Sequence, residues 1–180
     1  HMMNGDIKAQ NNSEGGASFI FYLPMRTADK TDATDKNQGH HLGPRDATGR
    51  HWQLLLAEDT EENALLIKAF LKKYPCDVTH VHNGQEALEA VQSSVRFDLV
   101  LMDIEMPVMD GLTATRAIRD WEASQAERQA VPITALTAHA LNHFKQKGYE
   151  AGCSSYLSKP IRKQQLIEFL AEHLQAAGQG

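Results

Sequence analysis

The sequence predicts an α/β fold: a doubly wound, five-stranded parallel sheet in the order 2-1-3-4-5, with helices on both faces. The first supporting observation is that, from Trp52 onward, five short apolar runs alternate with segments of helical periodicity. The second is that several of these runs end abruptly at a polar residue, as buried parallel strands do when they deliver a side chain to a sheet edge. Alternating strand–helix units of this kind place helices on both faces of a parallel sheet.

The stretch of residues 99–111 is the centre of this arrangement. Its apolar run ends in Asp103, Pro107 stops any continuation of the strand, and Asp110-Gly111 forms a turn that caps the next helix. Ligand sites in open α/β sheets lie at the carboxyl ends of the strands, so Asp103 is placed for chemistry. Taken alone, an aspartate at this position would equally well cap a loop.

The other elements are predicted from the same signals. The first strand, residues 54–57, ends in Glu58-Asp59, and Thr60 is expected to cap a helix with an apolar face. The rest follow in chain order: a second strand at 76–81, a helix opened by the capping pair Asn83 and Glu86, a third strand at 97–102, a helix at 112–121, a loop at 124–130, a fourth strand at 132–136, a helix at 141–151 closed by Gly152, a fifth strand at 155–158, and a last helix presenting Leu166, Phe169, Leu170 and Leu174. Five such units predict the flavodoxin-like strand order.

The N-terminal 24 residues read differently. Runs at residues 6–10 and 18–23 flank a turn-rich connection, which is a hairpin signature, although one hairpin is too small to be stable alone. The pattern "GD-I-x-A-x-N…GGA-x-F-x-F-x-LP" over residues 4–24 resembles the hairpin that ends a histidine-kinase ATPase domain. The glycine-rich ATP-lid motifs and the phosphorylated histidine of such kinases are absent. A generic hairpin or vector-derived sequence is the alternative, and His1-Met2 resembles a cloning remnant.

Composition excludes several classes of function. Of the 180 residues, 42% are hydrophobic, but no apolar run approaches the ~20 residues of a membrane span, so no membrane contact is expected. The net charge of −5, without a basic block, weighs against nucleic-acid binding. Cys76 and Cys153 match no metal or redox spacing, which indicates reduced thiols and a cytoplasmic location.

Polar groups follow four of the predicted strands: Glu58-Asp59, Asp103, Thr137 and Lys159. Parallel strands bring these ends together, and gathering three carboxylates and an ammonium is costly without a ligand. Carboxylate oxygens suit Mg²⁺, whereas a hydroxyl and an ammonium suit phosphoryl oxygens. The constellation therefore predicts phosphoryl transfer, in which positioning and charge neutralisation supply most of the catalysis.

The order of the motifs points to one family. The acidic pair, "MD-x-x-MP-x-MDG", "ALTA" and "YLSKP" all occur in sequence, so residues 52–174 resemble the receiver domain of two-component signalling throughout their length. The stretches "LLAED", "ALTAHAL" and "AGCSSYLSKPI" are most similar to receivers attached to hybrid sensor kinases. The kinase-like hairpin upstream agrees with that origin.

This resemblance implies a role for each site residue. Asp103 would accept the phosphoryl group as an acyl phosphate, and Lys159 and Thr137 would bind the phosphoryl oxygens. Asp59 and Asp103 would ligate Mg²⁺ directly, Glu58 would act through water, and Glu105 would add its backbone carbonyl. Tyr156 would reorient together with Thr137 as the switch, and the bond before Pro160 would be cis.

The implied partners are a phosphohistidine donor domain of a sensor kinase and a histidine-phosphotransfer domain. The fragment would catalyse phosphoryl transfer to its own Asp103, and the parent chain would be a hybrid histidine kinase with a membrane anchor of its own. The expected organisation is a kinase-derived hairpin with the cloning remnant (1–24), a flexible linker (25–50), the receiver domain (51–176) and a tail (177–180). The orphaned hairpin, apolar on both faces of its second strand, is expected to drive self-association.

Two departures and two alternatives remain. The acidic pair is Glu58-Asp59 where Asp-Asp is commoner, and Glu105 adds a third acid that is expected to affect the lifetime of the acyl phosphate. Because Glu105 follows the nucleophile by two positions, a metal-dependent phosphatase with an aspartate nucleophile stays open. A phosphorylation-independent interaction module is the other alternative. The pairs His40-His41 and His139/His143 are read as solvated side chains and not as metal ligands.

Overall fold

The computed structural model of the chain describes residues 6–11, 17–22, 42–45, 48–125, 128–138 and 142–177. The chain divides into two compact units, His1–Asn37 and Gln38–Gly180. In the first unit, strands β1 (Asp6–Asn11) and β2 (Ala17–Tyr22) pair antiparallel as the expected hairpin. Most of the predicted linker, the side chains of both histidine pairs and the last three residues of the predicted tail lie outside the described residues.

The second unit has the predicted architecture. Its elements are β3 (Trp52–Ala57), α1 (Glu61–Leu71), β4 (Cys76–Val81), α2 (Gly84–Gln92), β5 (Leu99–Asp103), α3 (Gly111–Ala123), β6 (Ile133–Thr137), α4 (Asn142–Ala151), β7 (Ser155–Ser158) and α5 (Lys163–Ala177). All neighbouring strands are parallel, in the order β4-β3-β5-β6-β7, which confirms the predicted order 2-1-3-4-5. None of the helices in the described ranges is long and apolar enough to cross a bilayer.

The three central strands of the sheet, β3, β5 and β6, are buried on both faces. Alternate strand residues, such as Leu54 and Leu56, pack with Ile67 of α1 and Leu170 of α5 on one face. The residues between them, such as Leu55 of β3, pack with α2 and α3 on the other face. Burial on both sides requires apolar residues at consecutive positions, which is why these strands are continuous apolar runs.

Two of the three predicted helix caps are present. Oδ1 of Asp110 accepts the N–H groups of Leu112 and Thr113 at 2.9 Å each, and Oδ1 of Asn83 accepts the N–H of Glu86 at 2.9 Å. Thr60 occupies the capping position of α1, but its side chain makes no capping bond. The expectation for Thr60 was wrong because its hydroxyl donates to Oδ1 of Asp59 at 3.3 Å instead.

Residues before β3 also pack on the sheet. Leu42 is 1% exposed within the cluster on the α1 and α5 face, and the indole N–H of Trp52 donates to the carbonyl of Gly43 at 2.9 Å. The guanidinium of Arg45 lies 3.1 Å from Oδ1 of Asp98. The packing on this face therefore includes residues upstream of residue 51.

Candidate functional site

The parallel register brings the polar strand ends to one edge of the sheet. Ala57 pairs with Met102, Asp103 with Leu136, and Thr137 with Ser158, so the residues that end or follow these strands are neighbours. A cleft of about 210 Å³ opens at this edge, and the residues that line it include Asp59, Asp103, Glu105, Thr137 and Lys159. Five of the predicted site residues are therefore brought together.

Three carboxylates form the acidic part of the site. Oxygens of Glu58, Asp59 and Asp103 all lie within 4.8 Å of one another. Glu58 is fully buried and Asp103 is 5% exposed, whereas Asp59 is exposed at the mouth of the cleft. An all-oxygen set with one solvent-facing member fits Mg²⁺, a hard cation that binds through few carboxylates and retains several waters.

Lys159 bridges the two buried carboxylates. Its Nζ donates to Oδ2 of Asp103 at 2.6 Å and lies 2.7 Å from Oε2 of Glu58. The contact with Glu58 is an ion pair without the directed geometry of a hydrogen bond, so the bond to Asp103 is the better aligned of the two. Burial by itself lowers the pKa of Lys159, but its attraction to the two carboxylates outweighs that effect and raises the pKa, which keeps the ammonium charged.

The carboxyl group of Asp103 is held at an electrostatic cost. Burial raises its pKa above the ordinary value; the hydrogen bond and charge of Lys159 oppose this, and the charge of Glu58 adds to it. The backbone N–H of Glu105 also donates to Oδ1 of Asp103, at 3.3 Å. Because the net shift is upward, additional positive charge beside this carboxylate would offset part of the cost of its burial.

Asn63 and His80, which the sequence did not single out, hold Glu58 in place. The side-chain amide of Asn63 donates to Oε1 of Glu58 at 2.8 Å, and Nε2 of His80 lies 2.9 Å from its backbone carbonyl oxygen. A signal existed for Asn63, since an asparagine within a helix has a lower helix propensity than most residues around it. No local signal existed for His80, whose contact depends on the pairing of β3 with β4.

The loop after Asp103 requires glycine at its end. The N–H of Gly111 donates to the carbonyl of Ile104 at 3.0 Å, and a Cβ atom on Gly111 would collide with the backbone carbonyl of Asp103. Val108 adopts a φ of 67°, which is unusual for a β-branched residue, and its side chain is 85% exposed. The loop is thus folded back tightly on the strand end that carries the central acid.

Thr137 and Tyr156 occupy different places around the site. Thr137 is 7% exposed at the end of β6, and its backbone carbonyl accepts the N–H of Lys159 at 2.8 Å. Tyr156, on β7, makes an edge-to-face contact with Tyr149 of α4 at 4.9 Å, and its hydroxyl fills the space beside Gly148. Burial, with the neighbouring Cys153 and Tyr149, raises the pKa of Tyr156 to about 12.

The peptide bond between Lys159 and Pro160 is cis, as the resemblance implied. It lies directly after β7, where the chain leaves the sheet towards α5.

Comparison with known proteins identifies the family. Residues 54–171 match the model of the response regulator receiver domain. Among curated relatives, the sensor protein GacS of Pseudomonas syringae pv. syringae is 42% identical over 127 residues, which cover 71% of this chain and 14% of the relative. The autoinducer 2 sensor kinase/phosphatase LuxQ of Vibrio vulnificus is 34% identical over 169 residues, covering 94% of this chain and 19% of the relative.

Solved structures show the same fold. The receiver domain of sensor histidine kinase PA1611 from Pseudomonas aeruginosa, which has a magnesium ion coordinated in its active-site cleft, is 36% identical, has a TM-score of 0.61, and matches over 69% of this chain and 98% of its own. The receiver domain of Saccharomyces cerevisiae Ssk1, crystallised with the histidine phosphotransfer protein Ypd1, is 29% identical with a TM-score of 0.66, over 72% of this chain and 92% of its own. The chain spans less than a fifth of the length of the two curated relatives above.

Proposed function

Because this chain belongs to the response regulator receiver domain family, we propose that Asp103 accepts a phosphoryl group from a phosphohistidine in a two-component phosphorelay. The observation that carries this proposal is the placement of Asp103 at the carboxyl end of the central strand β5, with the ammonium of Lys159 2.6 Å from its Oδ2. A nearly buried carboxylate with an adjacent cation and an open cleft is suited to act as a nucleophile towards an anionic group.

The proposed step is a substitution at phosphorus. A carboxylate oxygen of Asp103 forms a bond to phosphorus while the bond from phosphorus to the donor imidazole nitrogen breaks, and the imidazole leaves with the electron pair. The product is an acyl phosphate on Asp103, and the donor histidine is restored. Catalysis by the chain consists of alignment and charge neutralisation, because no proton needs to leave an ionised carboxylate.

Lys159 and Thr137 are the residues that meet the incoming charge. The ammonium of Lys159 already lies between Asp103 and Glu58, so it needs only a short shift to contact phosphoryl oxygens. Thr137 lines the same cleft and offers a hydroxyl that can donate to one of them. Both groups would therefore stabilise the negative charge of a phosphoryl group bound in the cleft.

Glu58, Asp59, Asp103 and the backbone carbonyl of Glu105 would hold Mg²⁺. When bound, the cation supplies neutralising charge between the carboxylates and the phosphoryl oxygens. Asn63 keeps Glu58 in place through the 2.8 Å bond to Oε1, and Asp59 is left exposed for solvent access. The raised pKa of Asp103 supports this assignment, since an added cation offsets the cost of its burial.

We propose that Thr137 and Tyr156 form the switch. Thr137 would move towards the phosphoryl group, and the ring of Tyr156 would leave its contact with α4 to fill the vacated space. The close packing between Tyr156, Tyr149 and Gly148 supports this proposal, because a ring held on one helix can change that helix's surface when it leaves. A ligand can bias such an element only by binding its two states differently.

The parent protein is proposed to be a hybrid histidine kinase. GacS and LuxQ are sensor proteins, and the alignment with LuxQ extends over 94% of this chain, which includes part or all of the hairpin region. The proposed organisation keeps residues 1–24 as the end of a kinase ATPase domain, residues 25–50 as a linker and residues 51–176 as the receiver domain. A histidine-containing kinase domain or a phosphotransfer domain is the proposed donor, and the proposed location is the cytoplasm.

One experiment tests the nucleophile directly. The chain is incubated with Mg²⁺ and a small phosphodonor such as acetyl phosphate, and the added mass is located by peptide mapping after borohydride reduction of the acyl phosphate. A single modification at Asp103 is expected, and no modification anywhere would favour the phosphorylation-independent module. Steady turnover of an exogenous phosphoester without any trapped acyl phosphate would favour the phosphatase alternative.

A further inference from the structure

A second group of ligand-type side chains lies beside the acidic cleft. We define the histidine cluster as Glu61, His80 and His82, whose ligand atoms all lie within 4.8 Å of one another. Nδ1 of His82 is 3.7 Å from Oε1 of Glu61, and the two imidazole rings are 4.5 Å apart in an edge-to-face arrangement. In the part of the chain that the structure describes, it is one of two such groups, and the other is the carboxylate set around Asp103.

The backbone produces this convergence. His80 lies in β4 and His82 immediately follows the strand, so their positions two residues apart place both rings on the same side of the chain. Glu61 is the first residue of α1, which begins beside the end of β3, the strand that pairs with β4. The three ligands therefore come from two elements that the sheet holds together.

The imidazole of His80 is already oriented. Its Nε2 lies 2.9 Å from the backbone carbonyl oxygen of Glu58, and because a carbonyl can only accept, this nitrogen carries the proton in that contact. Nδ1 then keeps its lone pair. A backbone carbonyl bonded to one ring nitrogen is the arrangement that usually orients a metal-binding histidine.

The spacing and charge of the cluster favour a cation. Ligands on a tetrahedral zinc ion at ~2.0–2.1 Å stand about 3.4 Å apart, so the 3.7 Å separation between His82 and Glu61 needs little closure. The side chains of Glu61 and His82 are more than half exposed, which leaves an open path and room for a water ligand. Glu86 adds nearby negative charge, since its Oε2 accepts the N–H of His82 at 2.9 Å.

From this geometry we propose that the histidine cluster binds a divalent transition-metal ion of the zinc class, separately from the Mg²⁺ proposed for the cleft. Two imidazoles and one carboxylate are the ligands that zinc, nickel and cobalt(II) accept, whereas Mg²⁺ prefers oxygen alone. A bound ion would join the end of β4 to the first turn of α1. That turn begins two residues after Asp59, so the ion would stiffen the segment that carries the acidic pair.

Zinc titration of the full chain, followed by NMR of the histidine side chains, tests this proposal. Excess Mg²⁺ is present throughout to occupy the carboxylate cleft. We expect the His80 and His82 signals to shift together and saturate at one ion per chain. Removing a partner in the outer shell of a metal site costs about 10–100-fold in affinity, so removing a ligand with His82→Ala should weaken zinc binding by at least about tenfold. Glu61→Gln, which keeps the side chain's shape, should also weaken it.

The matched control is His51→Ala. His51 is another exposed histidine next to a carboxylate, with Nδ1 2.9 Å from Oδ1 of Asp77, but it lies outside the histidine cluster. This variant should leave the affinity for zinc unchanged. Equal affinities for His82→Ala and His51→Ala, an absence of shifts at His80 and His82, or displacement of zinc by Mg²⁺ would each overturn the proposal.

Discussion

The ammonium of Lys159 lies 2.7 Å from Oε2 of Glu58, a carboxylate that is fully buried at the carboxyl end of the sheet. The same ammonium donates a hydrogen bond to Asp103, so one cation pairs with two carboxylates. The sequence assigned Lys159 to the phosphoryl group and Glu58 to the metal. In the structure Lys159 is also the counter-ion that permits a carboxylate to be buried there.

This pairing predicts a large cost when the cation is removed. Lys159→Met should lower the free energy of unfolding by about 3 kcal/mol, because a buried acid loses its partner charge. Denaturant unfolding measures the change. Glu58→Gln combined with Lys159→Met should recover part of it, and Lys163→Met, at an exposed lysine of α5, should have little effect. Equal stability of the two single lysine variants would contradict this account of Glu58.

Asp103→Asn should abolish phosphorylation and stabilise the metal-free fold. The pKa of Asp103 is raised in the folded state, so its contribution to stability is complete below the ordinary pKa of 3.8 and is lost as pH rises through the raised value. The variant should therefore melt at a higher temperature than the parent chain at neutral pH with EDTA. Thermal unfolding across a pH series measures the difference, which should vanish in acid.

Asp110→Asn provides a control of opposite sign. Although burial alone raises the pKa of Asp110, its bonds to Thr113 and Leu112 outweigh that effect and lower it. The contribution of Asp110 to the stability of the fold is therefore present above its ordinary pKa and is lost as pH falls through the lowered pKa. This variant should be the less stable one at neutral pH. The same sign for both variants would show that burial does not govern Asp103.

Mg²⁺ should stabilise the folded chain through Asp59. A cation that binds only the native state raises the free energy of unfolding by mass action, by about 2.7 kcal/mol at a concentration 100 times its dissociation constant, and the melting temperature rises with it. Asp59→Ala should remove most of this gain. Asp77→Ala, at an exposed acid of β4, should retain it. An unchanged Mg²⁺ titration in Asp59→Ala would place the cation elsewhere.

Gly148→Ala should displace the ring of Tyr156. A methyl group at position 148 would collide with the Tyr156 hydroxyl, which is the movable end of that side chain. Once displaced, the phenol should lose burial, and its pKa should fall from about 12 towards the ordinary value of 10.0. Titration of the ¹³Cζ signals of the labelled tyrosines measures this change in pKa.

Beryllofluoride, a phosphoryl analogue, should shift the NMR signals of Thr137 and Tyr156 in the parent chain. Shifts confined to the Asp103 loop would refute the proposed switch.

Deletion of residues 1–24 should reduce self-association and leave phosphorylation at Asp103 intact. In the sequence of this segment, Phe19, Phe21 and Leu23 alternate with Ile20 and Tyr22, and apolar strands with open edges pair with other chains. Light scattering of both chains compares their masses. An unchanged mass would exclude pairing through the hairpin, and loss of phosphorylation would assign the hairpin to the receiver domain.

The sequence by itself determined the strand order and the chemistry of the strand ends. Runs such as residues 99–102 are apolar at consecutive positions because both faces of a parallel sheet are buried, so their pattern indicates strands without knowledge of the fold. Asp103, Thr137 and Lys159 terminate or follow such runs, and parallel topology then brings them to one edge. This inference uses only local pattern and a general rule of sheet geometry.

The tertiary structure alone decided which side chains meet at that edge. Three contacts of Glu58 show this: the ion pair with Lys159, the bond from Asn63 and the approach of His80. Each depends on the positions of residues apart in sequence and on the rotamers that their side chains adopt, and local periodicity carries no information about either. Thr60 differs, since its hydroxyl donates to the neighbouring Asp59 at the exposed surface although its sequence position suits a cap. Local pattern limits where a side chain can lie, but packing of the whole domain selects the partners of its buried polar groups, because a polar group removed from water must find a hydrogen bond inside the protein.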